Sequence, residues 1–139
     1  NMSFKLIHTT HRHCVFTINQ NLHGFFLQDR SLLNFLFHAV TSVVSRMFYK
    51  QNKSKHFTPG FIMILHTFGL DLKWNPHIHC LITEGGYSHD GFWKSTHHFN
   101  YTFLRNAYRT ALLNEMETVP YLQIYFPNSA VLFQLSYIL

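Results

Sequence analysis

The chain has 139 residues, of which 47% are hydrophobic and only 12% are charged, so it is long and apolar enough to bury a core. This composition excludes a disordered tail. Eleven Lys and Arg residues against six Asp and Glu give a net charge of +5, which favours a polyanionic partner such as nucleic acid. The two cysteines, Cys14 and Cys80, lie in apolar segments and indicate buried thiols in a reducing compartment. No apolar run approaches the roughly 18 residues of a membrane-spanning helix, so we expect none.

The first half of the chain predicts a strand, a long helix and a polar loop. Residues 12–18 are rich in β-formers and favour a strand. After Asp29, which is placed to cap a helix, apolar residues follow at helical spacing as far as Met47. Residues 49–60 are polar and basic, which predicts a loop that could contact phosphates.

The second half predicts two further strands and a second helix. Residues 61–69 and 77–83 favour strands, and residues 84–91 favour a loop. A helix is predicted at about Tyr101–Glu117. Its inner face would carry Leu104, Tyr108, Ala111 and Leu112. The order of the elements predicts an α+β fold, in which helices cover a small antiparallel β-sheet. Two segments after Pro120 could each be a strand, and we assign neither.

Two histidines, His77 and His79, flank one aliphatic residue on the third predicted strand. Alternation along a strand places both imidazoles on the same face, where they can bind one metal ion. Burying both without a partner would be costly, which favours a ligand or a cleft. The pattern alone is not specific, because about one His-x-His is expected from a composition so rich in histidine. The alternative is a pair of histidines at the rim of the sheet.

Three blocks of sequence carry a resemblance to a known family. The block "PGFIMILHTFGLDLKWNPHIHCLITEGG" closely resembles the central part of the rolling-circle transposases of bacterial insertion sequences. These enzymes form the two-tyrosine branch of the HUH nuclease superfamily, named for a His-hydrophobic-His motif. "HRHCVFTINQNLHGFFLQDRSLLNFLF" and "FWKSTHHFNYTFLRNAYRTALLNEME" are similar to the upstream and downstream parts of the same family. The resemblance covers about residues 11–117 and implies an HUH nuclease-like sheet with a ferredoxin- or RRM-like layout.

The resemblance implies a metal-dependent reaction on single-stranded DNA. His77 and His79 match the HUH pair, which helps to hold Mg²⁺ or Mn²⁺ in this family. A tyrosine attacks a phosphate at a transposon end and forms a phosphotyrosine, which later permits strand transfer. Such a protein would act on DNA in the bacterial cytoplasm. Because imidazole suits Mn²⁺ better than Mg²⁺, and only neutral imidazole binds a metal, we expect tighter binding of Mn²⁺ and weaker binding below about pH 6.

A third metal ligand is needed, and His66 on the preceding strand is the first candidate. If Phe68 pairs with His77 in a hairpin, His66 lies opposite His79 on the same face. A slip of one residue would send His66 to the other face. Glu84 and Gln123 are the remaining alternatives.

The catalytic tyrosine is not identified by the sequence. Tyr121 and Tyr125 are four residues apart and are the candidates, but they lie between Pro120 and Pro127 in a segment that favours a strand. The family's tyrosine helix and its cysteine-rich zinc-binding segment have no counterpart that we can match. We therefore expect a single HUH nuclease-like domain over residues 1–139, truncated at both ends, with an atypical tail at residues 118–139. Such a fragment would keep the metal site and lack the cleaving residue.

Two rival functions remain open. One is a non-catalytic module that binds single-stranded nucleic acid, with Trp74 and Trp93 available to stack on bases. The other is a histidine-rich metal-binding protein without a role on DNA.

Overall fold

The computed structural model describes residues 10–125, except for the side chains of residues 51, 52, 54 and 55. These residues form an antiparallel sheet that carries helices on one face. The strands are β1 (His11–Phe16), β2 (Phe57–Phe68), β3 (Trp74–Ser88) and β4 (Trp93–Ser95). The helices are α1 (His23–Gln28), α2 (Leu33–Lys55) and α3 (Tyr101–Glu117), with 3₁₀ turns at Gln20–Leu22, Arg30–Leu32 and Pro120–Leu122. The predicted α+β class is confirmed.

The central strand of the sheet is β3, which pairs antiparallel with all three other strands. The order is β1-β3-β2, and β4 pairs with the C-terminal part of β3, at residues 85–87. Apart from the short elements α1 and β4, the succession β1, α2, β2, β3 and α3 is that of the first five elements of a ferredoxin-like fold. In the register of β1 and β3, Cys14 lies opposite Cys80.

Alternation along β3 separates a buried face from an open one. Ile78, Cys80 and Ile82 are fully buried beneath the helices, as apolar side chains on the covered face should be. His77 and His79 lie on either side of Ile78, so their side chains point to the other face, which no helix of the described chain covers. The fold therefore presents the histidine pair on an open sheet surface.

The two long helices pack side by side in opposite directions. His38 Nδ1, near the start of α2, lies 3.3 Å from Glu115 Oε2 near the end of α3. Lys50 Nζ, near the end of α2, lies 4.4 Å from the ring centre of Phe103 near the start of α3. The Asn100 side chain caps α3 by accepting a hydrogen bond of 2.9 Å from the Phe103 amide, so the helix begins at Tyr101. The predicted bounds of this helix, Tyr101–Glu117, are confirmed.

The loop predicted at residues 49–60 is wrong. Helix α2 continues to Lys55, and β2 begins at Phe57. The chain turns within one residue, His56, whose φ of 46° is the left-handed conformation common at helix ends. The polar, basic composition is also compatible with the last turns of a helix, because Lys and Gln are good helix formers.

The loop predicted from residue 84 is also displaced. Strand β3 extends to Ser88, and Gly86 makes this possible by lying against the backbone of β2. A Cβ atom at Gly86 would lie 2.0 Å from the carbonyl oxygen of Thr58. The glycines that suggest a loop in sequence therefore permit close strand pairing.

The segment Arg30–Lys50 is, contrary to our expectation, long and apolar enough to cross a membrane by length and composition. A single helix of this kind is weak support for a span, since core helices meet the same criteria. Val40, Val43 and Val44 on this segment are fully buried in the core between helices and sheet.

The C-terminal segment is described as far as Tyr125. It forms the 3₁₀ turn Pro120–Leu122 and a further turn in place of the possible strand at residues 121–126. The second possible strand, at residues 130–139, lies outside the described residues.

Candidate metal centre

Three histidines from two neighbouring strands meet on the open face of the sheet. Each of His66, His77 and His79 offers a ring nitrogen, and these nitrogens lie within 4.8 Å of one another. Three nitrogens bound to one ion at about 2.1 Å would be about 3.0 to 3.4 Å apart. Small side-chain rotations would bring the three ring nitrogens from within 4.8 Å to these distances. The arrangement can hold one divalent metal ion.

The register of the hairpin differs from the predicted one but leaves His66 on the predicted face. His66 lies opposite His77, and Ile64 lies opposite His79. The observed pairing therefore differs from the predicted one by two residues, and a shift of two retains the face. The ring centres of His66 and His79 are nevertheless 4.2 Å apart, because diagonal neighbours on a sheet can touch.

A backbone carbonyl orients the ring of His77. Its Nδ1 lies 2.6 Å from the carbonyl oxygen of Asn75, which can only accept, so Nδ1 carries the proton and donates it. Nε2 of His77 is then the nitrogen left available to a metal ion. Histidines that bind metals are commonly fixed through their second nitrogen in this way.

A fourth histidine, His13 on β1, was not predicted as part of the site. Its Nε2 lies 2.7 Å from Nδ1 of His79, and the two rings are stacked with centres 5.0 Å apart. This contact leaves Nε2 of His79 for the cluster. The signal in the sequence is the second His-x-His, His11-Arg12-His13, which composition alone had seemed to explain.

The electrostatics of the cluster favour neutral imidazole at His79. Burial lowers the pKa of His79, and the charges that the three neighbouring histidines would carry lower it further. Neutral imidazole is the form that binds a metal. The arrangement of the four rings therefore suits a ligand better than a cluster of cations.

The candidate tyrosines lie away from these contacts. The hydroxyl of Tyr121 donates a hydrogen bond to Asp29, which raises the pKa of Tyr121 because the bond stabilises the protonated phenol. The ring of Tyr125 packs edge-on against Phe25, with centres 5.0 Å apart. Among the described contacts, neither ring touches the histidine cluster, so their catalytic role stays a prediction.

The two tyrosines of α3, Tyr101 and Tyr108, differ in burial. Tyr108 is buried against Phe16, as predicted, and burial raises the pKa of Tyr108. Tyr101 is exposed, and its hydroxyl accepts a hydrogen bond of 2.9 Å from Arg12.

The alternative third ligands have other partners. Glu84 Oε1 accepts a hydrogen bond of 2.6 Å from Arg12 Nε, on the side of the sheet opposite the histidines. The amide of Gln123 lies 3.5 Å from the carbonyl oxygen of Glu117. Of the three residues considered, His66 is the one that the fold brings to the pair.

The two tryptophans make contacts within the protein. Trp74 donates a hydrogen bond of 2.9 Å from Nε1 to the carbonyl oxygen of His23, and Arg30 lies over its ring. Trp93 packs edge-on against Tyr87. Both side chains are half-buried, which leaves part of each ring exposed.

Exposed aliphatic side chains surround the histidine cluster. Ile64 lies directly opposite His79 and is 55% exposed, and Ile62, Leu81 and Val15 are also exposed on this face. An apolar surface of this kind on an open sheet commonly marks a binding site.

Comparisons with known proteins show that this chain is similar to transposases. Residues 60–121 match the profile of the Y2_Tnp family, described as "Putative transposase". The "Transposase for insertion sequence element IS801" of Pseudomonas savastanoi pv. phaseolicola is 34% identical over 98 residues, which are 70% of this chain and 22% of that protein. The "Putative transposase y4qJ" of Sinorhizobium fredii is 31% identical over 87 residues, which are 63% of this chain and 22% of that protein.

The chain thus spans about a fifth of the length of the curated relatives it matches. Among solved structures, the conjugative relaxase TrwC, in a copper-bound complex with oriT DNA, aligns with a TM-score of 0.47 and 15% identity. The alignment covers 77% of this chain and 42% of the relaxase. The resemblance to insertion-sequence transposases is confirmed by the sequence matches.

Proposed function

We propose that this chain, a relative of the insertion-sequence transposases, is a metal-dependent nuclease segment that acts on single-stranded DNA during transposition. The observation that carries the proposal is the cluster of His66, His77 and His79, whose ring nitrogens lie within 4.8 Å of one another inside the matched region. The proposal places this activity at transposon ends in the cytoplasm of a bacterium.

The role of the histidines is to hold one divalent ion, Mg²⁺ or Mn²⁺. The ion, when bound, would supply a Lewis acid that polarises and orients a scissile phosphate. His77 is prepared for this role by its bond to the Asn75 carbonyl, and His79 by its bond to His13. Because all the donors in the cluster are imidazoles, Mn²⁺ should bind more tightly than Mg²⁺.

The open face offers a surface for unpaired DNA. Bases of a single strand expose apolar faces that duplex DNA conceals, and exposed Ile62, Ile64 and Leu81 lie beside the cluster. The net charge of +5 favours the polyanion. A tyrosine that the described residues do not identify would attack the phosphorus and form the Tyr–O–P bond, while the leaving DNA oxygen becomes a free 3′-hydroxyl.

Calorimetry with Mn²⁺ on the purified chain tests the metal site. We expect one ion per chain, with higher affinity than for Mg²⁺. His66→Ala, His77→Ala and His79→Ala should each weaken binding at least tenfold, about the loss seen when even an outer-shell partner is removed. His89→Ala is the matched control, since His89 lies in the exposed turn between β3 and β4. Equal Mn²⁺ affinities in the His66→Ala and His89→Ala proteins would contradict the site.

Oligonucleotide binding separates the proposal from its rivals. We expect Mn²⁺ to strengthen the binding of single-stranded DNA, and His77→Ala to abolish that gain. If His77→Ala leaves DNA affinity unchanged with and without Mn²⁺, the chain is a non-catalytic binding module. Several Zn²⁺ ions per chain together with no salt-dependent DNA binding would instead support a histidine-rich metal-binding protein.

A further inference from the structure

A groove runs between the outer edge of β1 and one flank of α3. It encloses a cavity of about 540 Å³. Within residues 10–125, β1 pairs on one side only, with β3, so its other edge faces this groove. The lining that matters here comes from His13 and Thr17 on β1 and from Tyr101, Arg105, Tyr108 and Arg109 on α3.

The groove is basic. Arg105 and Arg109 are four residues apart on α3, so they lie on one flank of the helix, about 6 Å apart along its axis. No Asp or Glu lines the cavity. Arg105 is exposed, and no carboxylate within the described part of the chain forms an ion pair with it. Two guanidinium groups so placed match successive phosphates of an extended strand.

The groove reaches the candidate metal centre through His13. This residue lines the cavity, and its Nε2 lies 2.7 Å from Nδ1 of the cluster residue His79. A strand whose scissile phosphate lies at the cluster could therefore continue along β1 towards Arg105. Tyr108, at the floor, has a buried hydroxyl that lacks a hydrogen-bond partner among residues 10–125, which leaves a polar group for a ligand or water.

We infer that this groove binds the sugar–phosphate backbone of single-stranded DNA next to the phosphate at the histidine cluster, with Arg105 and Arg109 neutralising phosphates. The inference rests on the proposed function and names a second contact surface for the same strand. An extended peptide could instead pair with the free edge of β1. The two guanidinium groups and the absence of lining carboxylates favour the polyanion.

The salt dependence of DNA binding tests the groove. Fluorescence anisotropy with a labelled oligothymidylate, at several KCl concentrations, gives the slope of log affinity against log salt. Each phosphate contact in a single strand contributes about −0.7 to this slope. We expect Arg105→Gln to make the slope shallower by about 0.7, and the Arg105→Gln/Arg109→Gln double variant by about 1.4, because one and two contacts are lost.

Arg46→Gln is the matched control. Arg46 is also an exposed arginine, and it lies over Phe103 on the opposite flank of α3. We expect this variant to keep the slope of the unaltered protein. Mn²⁺ affinity should be unchanged in all the variants, which shows that the fold and the cluster are intact. Since Arg109 is half-buried, Arg105→Gln alone suffices if the double variant does not fold.

The outcomes distinguish the groove from the metal-dependent function. An unchanged slope in Arg105→Gln, or an equal loss in Arg46→Gln, overturns the groove while the metal site and DNA binding stand. Such a result would favour a peptide at the β1 edge. If the unaltered protein shows no salt-dependent binding of single strands, both the groove and the proposed function are overturned.

Discussion

His13 Nε2 lies 2.7 Å from His79 Nδ1, although the two residues are 66 positions apart in the chain. The contact crosses from the edge strand β1 to the central strand β3 and stacks the two rings. One ring nitrogen of His79 is thereby committed to His13, which leaves the other for a metal ion. His13 is thus a positioning residue for the candidate centre.

Removing His13 should weaken metal binding without removing a ligand. We expect His13→Ala to reduce Mn²⁺ affinity by about 10- to 100-fold, the range found when a partner of a metal-binding histidine is lost. His13→Gln, which retains a hydrogen-bonding side chain, should recover part of this loss. Titration calorimetry measures both affinities.

His11→Ala controls for the loss of an exposed histidine from β1. His11 lies two residues away on the same strand, opposite Thr83. Its removal should leave Mn²⁺ affinity unchanged. An affinity for His13→Ala that equals that of His11→Ala would show that the His13 contact does not orient His79.

The two faces of the sheet should differ sharply in their contribution to stability. Ile78 is 0% exposed between the two cluster histidines, whereas Ile64, on the neighbouring strand, is 55% exposed. We expect Ile78→Ala to lower the free energy of unfolding by about 2–5 kcal/mol through lost burial and a cavity. Ile64→Ala should cost less than about 1 kcal/mol, since exposed sites change stability little.

Urea unfolding of the two variants measures these differences. The same pair also checks the orientation of the histidines, because Ile64 lies directly opposite His79. If Ile64→Ala were the more destabilising change, the histidines would point into the core and not to the open face.

Glu84 should make the stability of the fold depend on pH. The hydrogen bond from Arg12 lowers the pKa of Glu84. Because the pKa of Glu84 is lower in the folded protein, the unfolded chain binds a proton at a higher pH than the folded protein does, and this proton stabilises the unfolded chain. The stabilisation is therefore complete above the ordinary glutamate value of about 4.3, and it is lost as the pH falls through the lowered folded value.

Glu84→Gln should therefore flatten the acid side of the stability profile. Denaturant unfolding at a series of pH values below neutrality measures this effect. Glu117→Gln is the control, since Glu117 has no ion-pair partner among residues 10–125. Identical acid limbs for Glu84→Gln and the unaltered protein would mean that the Arg12 contact does not persist in solution.

The chain should form no covalent adduct with DNA. The Tyr121 hydroxyl donates a hydrogen bond to Asp29 and the Tyr125 ring packs against Phe25, and among the described contacts neither tyrosine touches the histidine cluster. After incubation with a single-stranded oligonucleotide and Mn²⁺, denaturing electrophoresis should show only free protein. An adduct that disappears in Tyr121→Phe or Tyr125→Phe would identify the nucleophile and contradict this expectation.

The local features of the site follow from the sequence. The period-2 alternation of a strand suffices to place His77 and His79 on one face, with Ile78 on the other. Helix α3 was bounded correctly because its apolar spacing and the Asn100 cap are both local signals. In contrast, the sequence does not predict the end of α2, because the basic residues up to Lys55 are compatible with either a loop or a helix.

The composition of the full cluster was decided by tertiary structure. The partner of His66 depends on an irregularity between Pro59 and Phe61, which shifts the pairing with β3 by two residues. The arrival of His13 beside His79 depends on the pairing of β1 with β3, and no local pattern specifies which strands become neighbours. The sequence by itself determined which face each imidazole occupies, because that is set by backbone geometry within one strand. Only the fold decided which imidazoles meet, because that depends on contacts between strands far apart in the chain.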